Sequence, residues 1–283
     1  MMDIDIIELS GSDGRFILTD VSAAFVNGIR RIMVSEVPTF AIDEVNIYEN
    51  TSVLFDEQIT LRLGLIPLKI SSSDRDMYVT RENCECEDGC ERCQVFLTLS
   101  MESPDEVAQN QKVTQKVVYS GDLVSNEEAV VSVNPDVPII KLITRKRKNG
   151  ISKQKIYLEA IARLGYGREH IKWQAGIACG YKNLPRISVP EEECNRCGSC
   201  VDVCPRGILV LNGNLTVVNE MNCSLCRLCE DACDHKGIKI DVDERSFVFE
   251  FESDGSYSAR DLVLKATDIL KEKAEGLMEF LDK

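Results

Sequence analysis

Histidine is almost missing from this chain, which has two in 283 residues, His170 and His235. Two are too few to assemble a Cys–His or Ser–His–Asp arrangement. Positive charge is also short: 33 lysines and arginines face 47 aspartates and glutamates, a net charge of −14. Phosphate neutralisation supplies most of the affinity of a free-standing nucleic-acid binder, so strong direct DNA binding is not expected. Membership in a complex whose other chains hold DNA is compatible with this balance. No apolar run approaches the roughly 20 residues that span a bilayer. The start, Met1-Met-Asp-Ile-Asp5, has neither a basic region nor an apolar core. The expectation is a cytoplasmic protein without membrane contact. There is no phosphate-binding glycine loop, no carboxylate triplet for magnesium, no flavin or nicotinamide fingerprint and no helix-turn-helix pattern. On its own the chain does not look catalytic.

Cysteine is abundant instead. Twelve of the thirteen fall into three blocks, and in the reducing cytosol clustered thiols hold metal more often than they form disulfides. Two blocks repeat one another: Cys194-x2-Cys197-x2-Cys200-x3-Cys204-Pro205, then Cys223-x2-Cys226-x2-Cys229-x3-Cys233. This is the ligand spacing of a two-cluster bacterial-type ferredoxin, in which each run lends its last cysteine to the other cluster. Cys194, Cys197, Cys200 and Cys233 are therefore assigned to one 4Fe-4S cluster, and Cys223, Cys226, Cys229 and Cys204 to the other; loss of an iron would make one a 3Fe-4S cluster. Asp234 stands where the second run would carry a proline. The third block, Cys84-x-Cys86-x3-Cys90-x2-Cys93, can close a tetrahedral four-sulfur site. Zinc is its first reading, with a metal-free thiol loop and a third iron site as alternatives. Glu85, Glu87, Asp88 and Glu91 beside it read as solvated, and the single Cys179 reads as a small buried hydrophobe.

Along the chain, Asp3–Leu9 and Arg15–Leu18 read as a strand pair. Thr19–Ser35 reads as a helix, capped by Thr19 or Asp20, with Phe25, Ile29, Ile32 and Met33 on one face. Residues 45–163 are strand-rich, with Val45–Tyr48, Gln94–Ser100, Val113–Tyr119, Ala129–Val133 and Lys155–Ile161 the clearest strands and Asp56–Leu65 a helix. The basic run Arg145–Lys148 reads first as a solvated loop tip and second as a nucleic-acid or partner contact. Around the paired cysteine runs, Ile187-Ser-Val and Thr216-Val-Val repeat at an offset of 29 residues, which predicts two strand–loop–helix–strand units. Ser246–Glu252 alternates Phe247, Phe249 and Phe251 with Val248 and Glu250, the pattern of a half-buried strand. A last helix follows Ser258-x-x-Asp261. Its apolar stripe, which includes Leu262, Ala266, Ile269, Leu270, Leu277, Phe280 and Leu281, serves either its own core or a partner.

Two long stretches carry a resemblance. Residues 25–50, FVNGIRRIMVSEVPTFAIDEVNIYEN, and 56–68, DEQITLRLGLIPL, resemble the signature of the alpha-like, third-largest-subunit family of archaeal DNA-directed RNA polymerase; GYGREHIKW, 165–173, is similar to a third block of that family. The family is related to the third-largest chain of eukaryotic RNA polymerase II and to the N-terminal part of the bacterial alpha subunit. The resemblance covers nearly the whole chain. It departs at Leu61, where relatives often carry histidine, and at Ala175, where proline is common. It implies an α+β fold of three parts: a discontinuous alpha-like dimerisation domain from 1–42 and 242–283, a β-rich insert domain at 43–185 with the four-cysteine loop 84–93, and a ferredoxin-like iron–sulfur domain at 186–241. It implies that the helix carrying Phe25, Asn27, Arg30 and Arg31, and the last helix with Leu262, Ala266, Leu270 and Leu277, pack against a smaller alpha-like subunit, L. Subunits N and P and the second-largest catalytic chain are the further partners implied, and some relatives bind zinc at a loop spaced like Cys84–Cys93. The expected function is a non-catalytic scaffold that nucleates assembly of a nucleotidyl-transferring complex, its clusters structural first and redox-responsive second. The rival is a ferredoxin-type electron-transfer protein or redox-enzyme subunit.

Overall fold

The computed structural model describes residues 2–70, 77–87, 89–107, 112–127, 129–147, 150–190 and 192–282. Asp88 of the third cysteine block and Lys148 of the basic run lie outside them. Two compact units make up the chain: Met1–Leu9 with Asp13–Arg30 and Ala178–Phe251, and Ser10–Ser12 with Arg31–Ile177 and Glu252–Lys283. No helix among the described residues is long and apolar enough to cross a membrane.

The chain opens with β1 (Asp3–Ser10) and β2 (Asp13–Thr19), as their spacing predicts, joined through Gly11 at φ +57°. Helix α1 (Ala23–Ser35) starts four residues later than expected. Asp20 adopts φ +59°, outside the helical region, so neither it nor Thr19 can begin the helix. Ser22 caps it instead, its hydroxyl oxygen accepting from the Phe25 N–H at 3.3 Å. Val26, Ile29, Ile32 and Met33 are buried, while Phe25 sits half-buried at the edge of that stripe.

The larger unit is built on β3 (Pro38–Asn50), α2 (Asp56–Gly64), β4 (Leu68–Ile70), β5 (Gln94–Glu102), β6 (Val113–Tyr119), β7 (Val124–Ser125), β8 (Val130–Ser132), β9 (Pro138–Arg147), β10 (Gly150–Ser152) and β11 (Lys155–Tyr166). Its sheets run β3-β11-β5-β7, β10-β9-β6 and β4-β8. Strand β11 is central and antiparallel to both neighbours, with Ala160 opposite Val45 on one side and Leu97 on the other. Its residues alternate over the first half, so Ile156, Leu158, Ala160 and Ala162 share one solvent-free face while Tyr157 on the other is exposed. Ile59 and Leu63 of α2 close the same core with Val95, Leu97, Leu99, Ile140 and Leu142. Arg145, Lys146 and Arg147 are exposed residues at the end of β9, not a loop tip.

The third sequence block folds as a clasp in this unit. The Trp173 indole N–H donates to the Arg163 carbonyl at 3.1 Å. The Lys172 ammonium sits 4.3 Å from the Trp173 ring centroid and bonds Asp43 at 2.6 Å. A Cβ on Gly165 would fall 2.5 Å from the indole, so only glycine fits there.

The smaller unit holds most of a four-stranded sheet ordered β1-β2-β15-β12, from β12 (Gly176–Ser188) and β15 (Lys239–Ser253) with the two N-terminal strands. Phe16 stacks on Phe249 with centroids 5.1 Å apart, and Tyr181 meets Phe247 edge-on at 5.8 Å. Val248 is buried with its neighbours, so β15 is covered on both faces at this point and the predicted alternation appears only at Glu250 and Glu252. Between the long strands lie α3 (Ser199–Asp202), β13 (Leu209–Asn212), β14 (Asn214–Val217) and α4 (Leu228–Asp231).

The last helix, α5 (Ala259–Leu281), begins as its sequence predicts. Ser258 is the N-cap, accepting from the Asp261 N–H at 3.1 Å and donating to its carboxylate at 2.8 Å.

Candidate metal centres

The third cysteine block closes on itself. After a short turn at Arg81–Asn83 the chain runs through Gly89, at φ +100°, and returns to the start of β5. The N–H of Val79 donates to the Arg92 carbonyl at 2.9 Å and shuts the loop. The sulfurs of Cys84, Cys86, Cys90 and Cys93 lie within 4.8 Å of one another, with Cys84–Cys86 at 3.2 Å and Cys84–Cys90 and Cys86–Cys93 at 3.6 Å. Tetrahedral zinc with Zn–S bonds near 2.3 Å sets its sulfurs about 3.8 Å apart, so this donor set fits one zinc-sized ion. Crowding splits the thiols. Cys86 is drawn down to about 7, chiefly by a hydrogen bond from the Cys84 side chain. Cys84 is pushed up to about 12; the Cys86 N–H favours its thiolate, but the Cys86 side chain, desolvation and the two further thiols outweigh it. Arg81, three residues ahead of the block, donates to the Cys86 carbonyl at 2.7 Å and to its sulfur at 2.9 Å. Sequence spacing gave no hint of that partner, although a cation so near a thiolate cluster is its one available signal.

The other two blocks surround two cavities. Cys194, Cys197, Cys200 and Cys233 line one, with Gly237 and Leu215 in its wall; Cys204, Cys223, Cys226 and Cys229 line the second, with Arg206 and Arg227. Both are small and open to solvent. The two groups of four are those the spacing assigns. The internal repeat is visible in the backbone. Helix α4 follows α3 at the same 29-residue offset, and three left-handed positions recur with it: Arg196 and Leu225, Gly198 and Arg227, Gly207 and Lys236. In the second copy all three are non-glycine, a conformation that costs roughly 1–2 kcal/mol per residue. These reversals aim successive sulfurs inward, and N–H groups follow them: Leu225 donates to the Cys223 sulfur at 3.4 Å and Gly237 to the Cys233 sulfur at 3.2 Å.

The thiols of each set are unequal in the same way. Burial raises Cys200, and raises Cys229 to about 11. The exposed Cys197 is lowered, first by the Ser199 hydroxyl, and Cys226 by the Leu228 N–H. Four thiols with no nitrogen or oxygen ligand among them form a soft donor set suited to iron–sulfur or zinc chemistry. Two cations that the sequence did not single out hold the turn before Cys223. Lys182 of β12 donates to the carbonyls of Met221 and Cys223 at 2.6 and 2.7 Å, and Arg15 of β2 donates to the Asn222 side chain at 3.1 Å. Cys179, on β12, is raised to about 12 by burial, in keeping with an inert small side chain.

Of the residues implied to meet a partner, Leu262 and Ala266 are 0% exposed and are packed by this chain itself. Phe25, Asn27, Arg30 and Leu270 are half-buried, and Arg31 and Leu277 are exposed. Lys271–Leu281 is exposed throughout. At the other end of the chain, Ile4, Ile6 and Ile7 of edge strand β1, and Met2 just before it, are exposed.

Apolar side chains left uncovered on β1 of the smaller unit, and again on the end of α5 in the larger, are what a subunit of a larger assembly exposes. The chain belongs to the RNA polymerase Rpb3/Rpb11 dimerisation domain family, whose pattern matches residues 15–274. It is 49% identical to DNA-directed RNA polymerase subunit Rpo3 of Methanosarcina acetivorans over 99% of this chain and 98% of that one. It is 41% identical to the same subunit of Methanothermobacter thermautotrophicus and 36% identical to that of Archaeoglobus fulgidus, each over at least 98% of both chains. The resemblance read from residues 25–50, 56–68 and 165–173 is thereby borne out. Because the match runs through both ends of the chain, electron transfer as the chain's main role is not favoured.

Proposed function

We propose that this chain is a non-catalytic assembly subunit of archaeal DNA-directed RNA polymerase, working in the cytoplasm. It pairs with a smaller alpha-like subunit, L, and the pair gathers subunits N and P and the second-largest catalytic chain. The observation that carries the pairing is the second half of α5. Leu270, Ala274, Leu277 and Leu281 recur on one stripe, yet from Lys271 onward none of this helix is covered. A helical segment that buries nothing is marginal in water. Docking supplies the missing burial, at roughly 25 cal/mol per Å2 of apolar area before association costs. Leu262 and Ala266 anchor the first half of the helix at home, so Leu270, Leu277 and the residues beyond them are the contacts we assign to the partner.

Four thiolates from Cys194, Cys197, Cys200 and Cys233 hold one 4Fe-4S cluster, and those from Cys204, Cys223, Cys226 and Cys229 hold the other; Cys84, Cys86, Cys90 and Cys93 hold zinc. When bound, each cluster supplies a four-armed crosslink and a one-electron couple. The chain's own residues supply the rest: the left-handed turns orient the sulfurs, and Ile208, Leu209, Ile238 and Ile240 form an apolar floor beneath them. Metal binding then contributes folding free energy to loops with little core of their own.

The pairing is tested by co-expressing the chain with its small alpha-like partner and substituting L277D together with L281D. The expected result is loss of the co-eluting pair, with far-ultraviolet circular dichroism and iron content kept. Co-elution of the double variant at wild-type levels would remove the helix from the interface.

A further inference from the structure

The two cavities match in thiols but not in charge, and the 29-residue repeat makes the comparison position by position. Pro205, Arg206 and Arg227 beside the second cavity stand where the first has Asp234, His235 and Gly198. Asn222, before the second run, stands where the first has Glu193. Asp234 is close enough to act electrostatically on the Cys197 thiolate. The first cavity is not without cations: Arg196 lines it, and Lys236 follows Cys233, against Leu225 and Gly207 in the second copy. Glu230 pairs with Arg227 at 3.7 Å and offsets part of its charge. Glu220 accepts from the N–H of Ile187 in the wall of the second cavity, and Glu250 acts on Lys182. Even so, Lys182, Arg15, Arg206 and Arg227 outnumber Glu220, Glu230 and Glu250 there, whereas beside the first cavity Arg196 and Lys236 are matched by Glu193 and Asp234.

Among the described residues, no lysine grips the carbonyls before Cys194 as Lys182 grips those at Met221 and Cys223. Lys182 comes from strand β12, outside the repeat, and its ammonium is pinned at 2.6 and 2.7 Å between the carbonyls of Met221 and Cys223. It is half-buried, unlike Arg227. Exposed charges are screened within about 10 Å at ordinary salt, and partly buried ones much less. Lys182 is therefore the cation whose field reaches the second site least diminished, with Arg15 behind it at Asn222.

We propose that the two clusters are electronically unequal: the one held by Cys204, Cys223, Cys226 and Cys229 accepts an electron more readily than the other, and Lys182 is the positioning residue that sets the difference. This rests on the reading of both cysteine sets as cluster sites. Reduction adds one electron to the cluster from a low-potential one-electron donor, with no bond made or broken and no proton moved in the step. The added negative charge is stabilised by a nearby fixed cation and opposed by a nearby carboxylate, and net local charge is among the levers that set cluster potentials. A chain with one easily reduced and one resistant site responds to its surroundings in two stages.

The test uses the full chain, reconstituted anaerobically with iron and sulfide, and a dithionite-poised redox titration followed by electron paramagnetic resonance. Iron and sulfide analysis comes first: content far below that of two clusters would refute the cluster reading itself. Given two clusters, two separate one-electron waves are expected. C226A should delete the higher wave. K182M should lower that wave alone by roughly a tenfold change in its reduction equilibrium, 59 mV for one electron, while K182R restores it. Should K182M fail to retain iron, R206Q and R227Q make the same test, each lowering the same wave by less. Coincident waves in the unaltered chain, loss of the lower wave in C226A, or a higher wave indifferent to these charge changes would overturn the proposal.

Discussion

Single residues decide how the cysteine runs close. Gly237 shows it most sharply, because a Cβ there would fall 2.9 Å from both the Cα of Cys194 and the carbonyl oxygen of Glu193. Backbone cannot yield as a side-chain tip can, so Gly237→Ala is expected to part Cys194 from Cys233 and cut iron content by about half, one cluster of two. Gly180→Ala, which meets nothing within 4 Å, is the control and should keep its full iron. Unchanged iron in Gly237→Ala would show that the first cavity tolerates a shift the packing forbids. The cysteines that spacing groups together line the same two cavities, each set taking its fourth from the other run. What sets one site apart was not legible in the sequence. Lys182 lies 39 and 41 residues from the carbonyls it grips, and no periodicity announces a contact made only when two strands and a turn converge.

At the scale of elements, the sequence was legible wherever one face met water. Strand β6 runs over Val113–Tyr119, as its alternation predicts, and α2 departs from prediction by one residue at its end. Strand β9 was missed, and of β12 only its end at Ile187–Ser188 was expected. In β9 the apolar pair Ile139–Ile140 and a basic end blur the alternation, and burial there depends on neighbours distant in sequence. The start of α1 was missed because Asp20 turns left-handed, a state the residue tolerates but does not advertise. The start of α5 was correct because a serine cap is a local hydrogen bond. Ser258→Ala should therefore destabilise the chain by about 1 kcal/mol, seen as a lower thermal midpoint and faster amide exchange in the first turn of α5. Equal exchange in the two proteins would mean that packing of Leu262 and Ala266 alone fixes this end.

For the molecule as a whole, the cysteine blocks fall in different compact units: Cys84–Cys93 in the larger, the paired runs in the smaller. Each ion set should then stabilise its own surroundings. A zinc chelator is expected to lower amide-exchange protection around Val79–Gln94 and leave the visible absorption of the clusters in place. Simultaneous loss of both signals would show that the units do not hold their metals separately. The resemblance of residues 25–50 and 56–68 to an RNA polymerase subunit family anticipated the molecule's class better than any composition measure, because composition carries no trace of a family's particular run of residues.

The sheet order β1-β2-β15-β12 has a consequence for how the protein is made. Strand β15 lies between β2, from the first nineteen residues, and β12. A nascent chain leaves the ribosome N-terminus first, at roughly 5–20 residues per second. β1 and β2 must therefore wait, unclosed, while more than two hundred residues follow them out. The cysteine runs emerge during that wait, ahead of the strand that completes the sheet. A translation product halted before Lys239 would lack both that strand and α5, whatever metal it had already captured. Closure of this sheet is thus deferred until β15 itself has been made, and no earlier stretch of the chain can stand in for it.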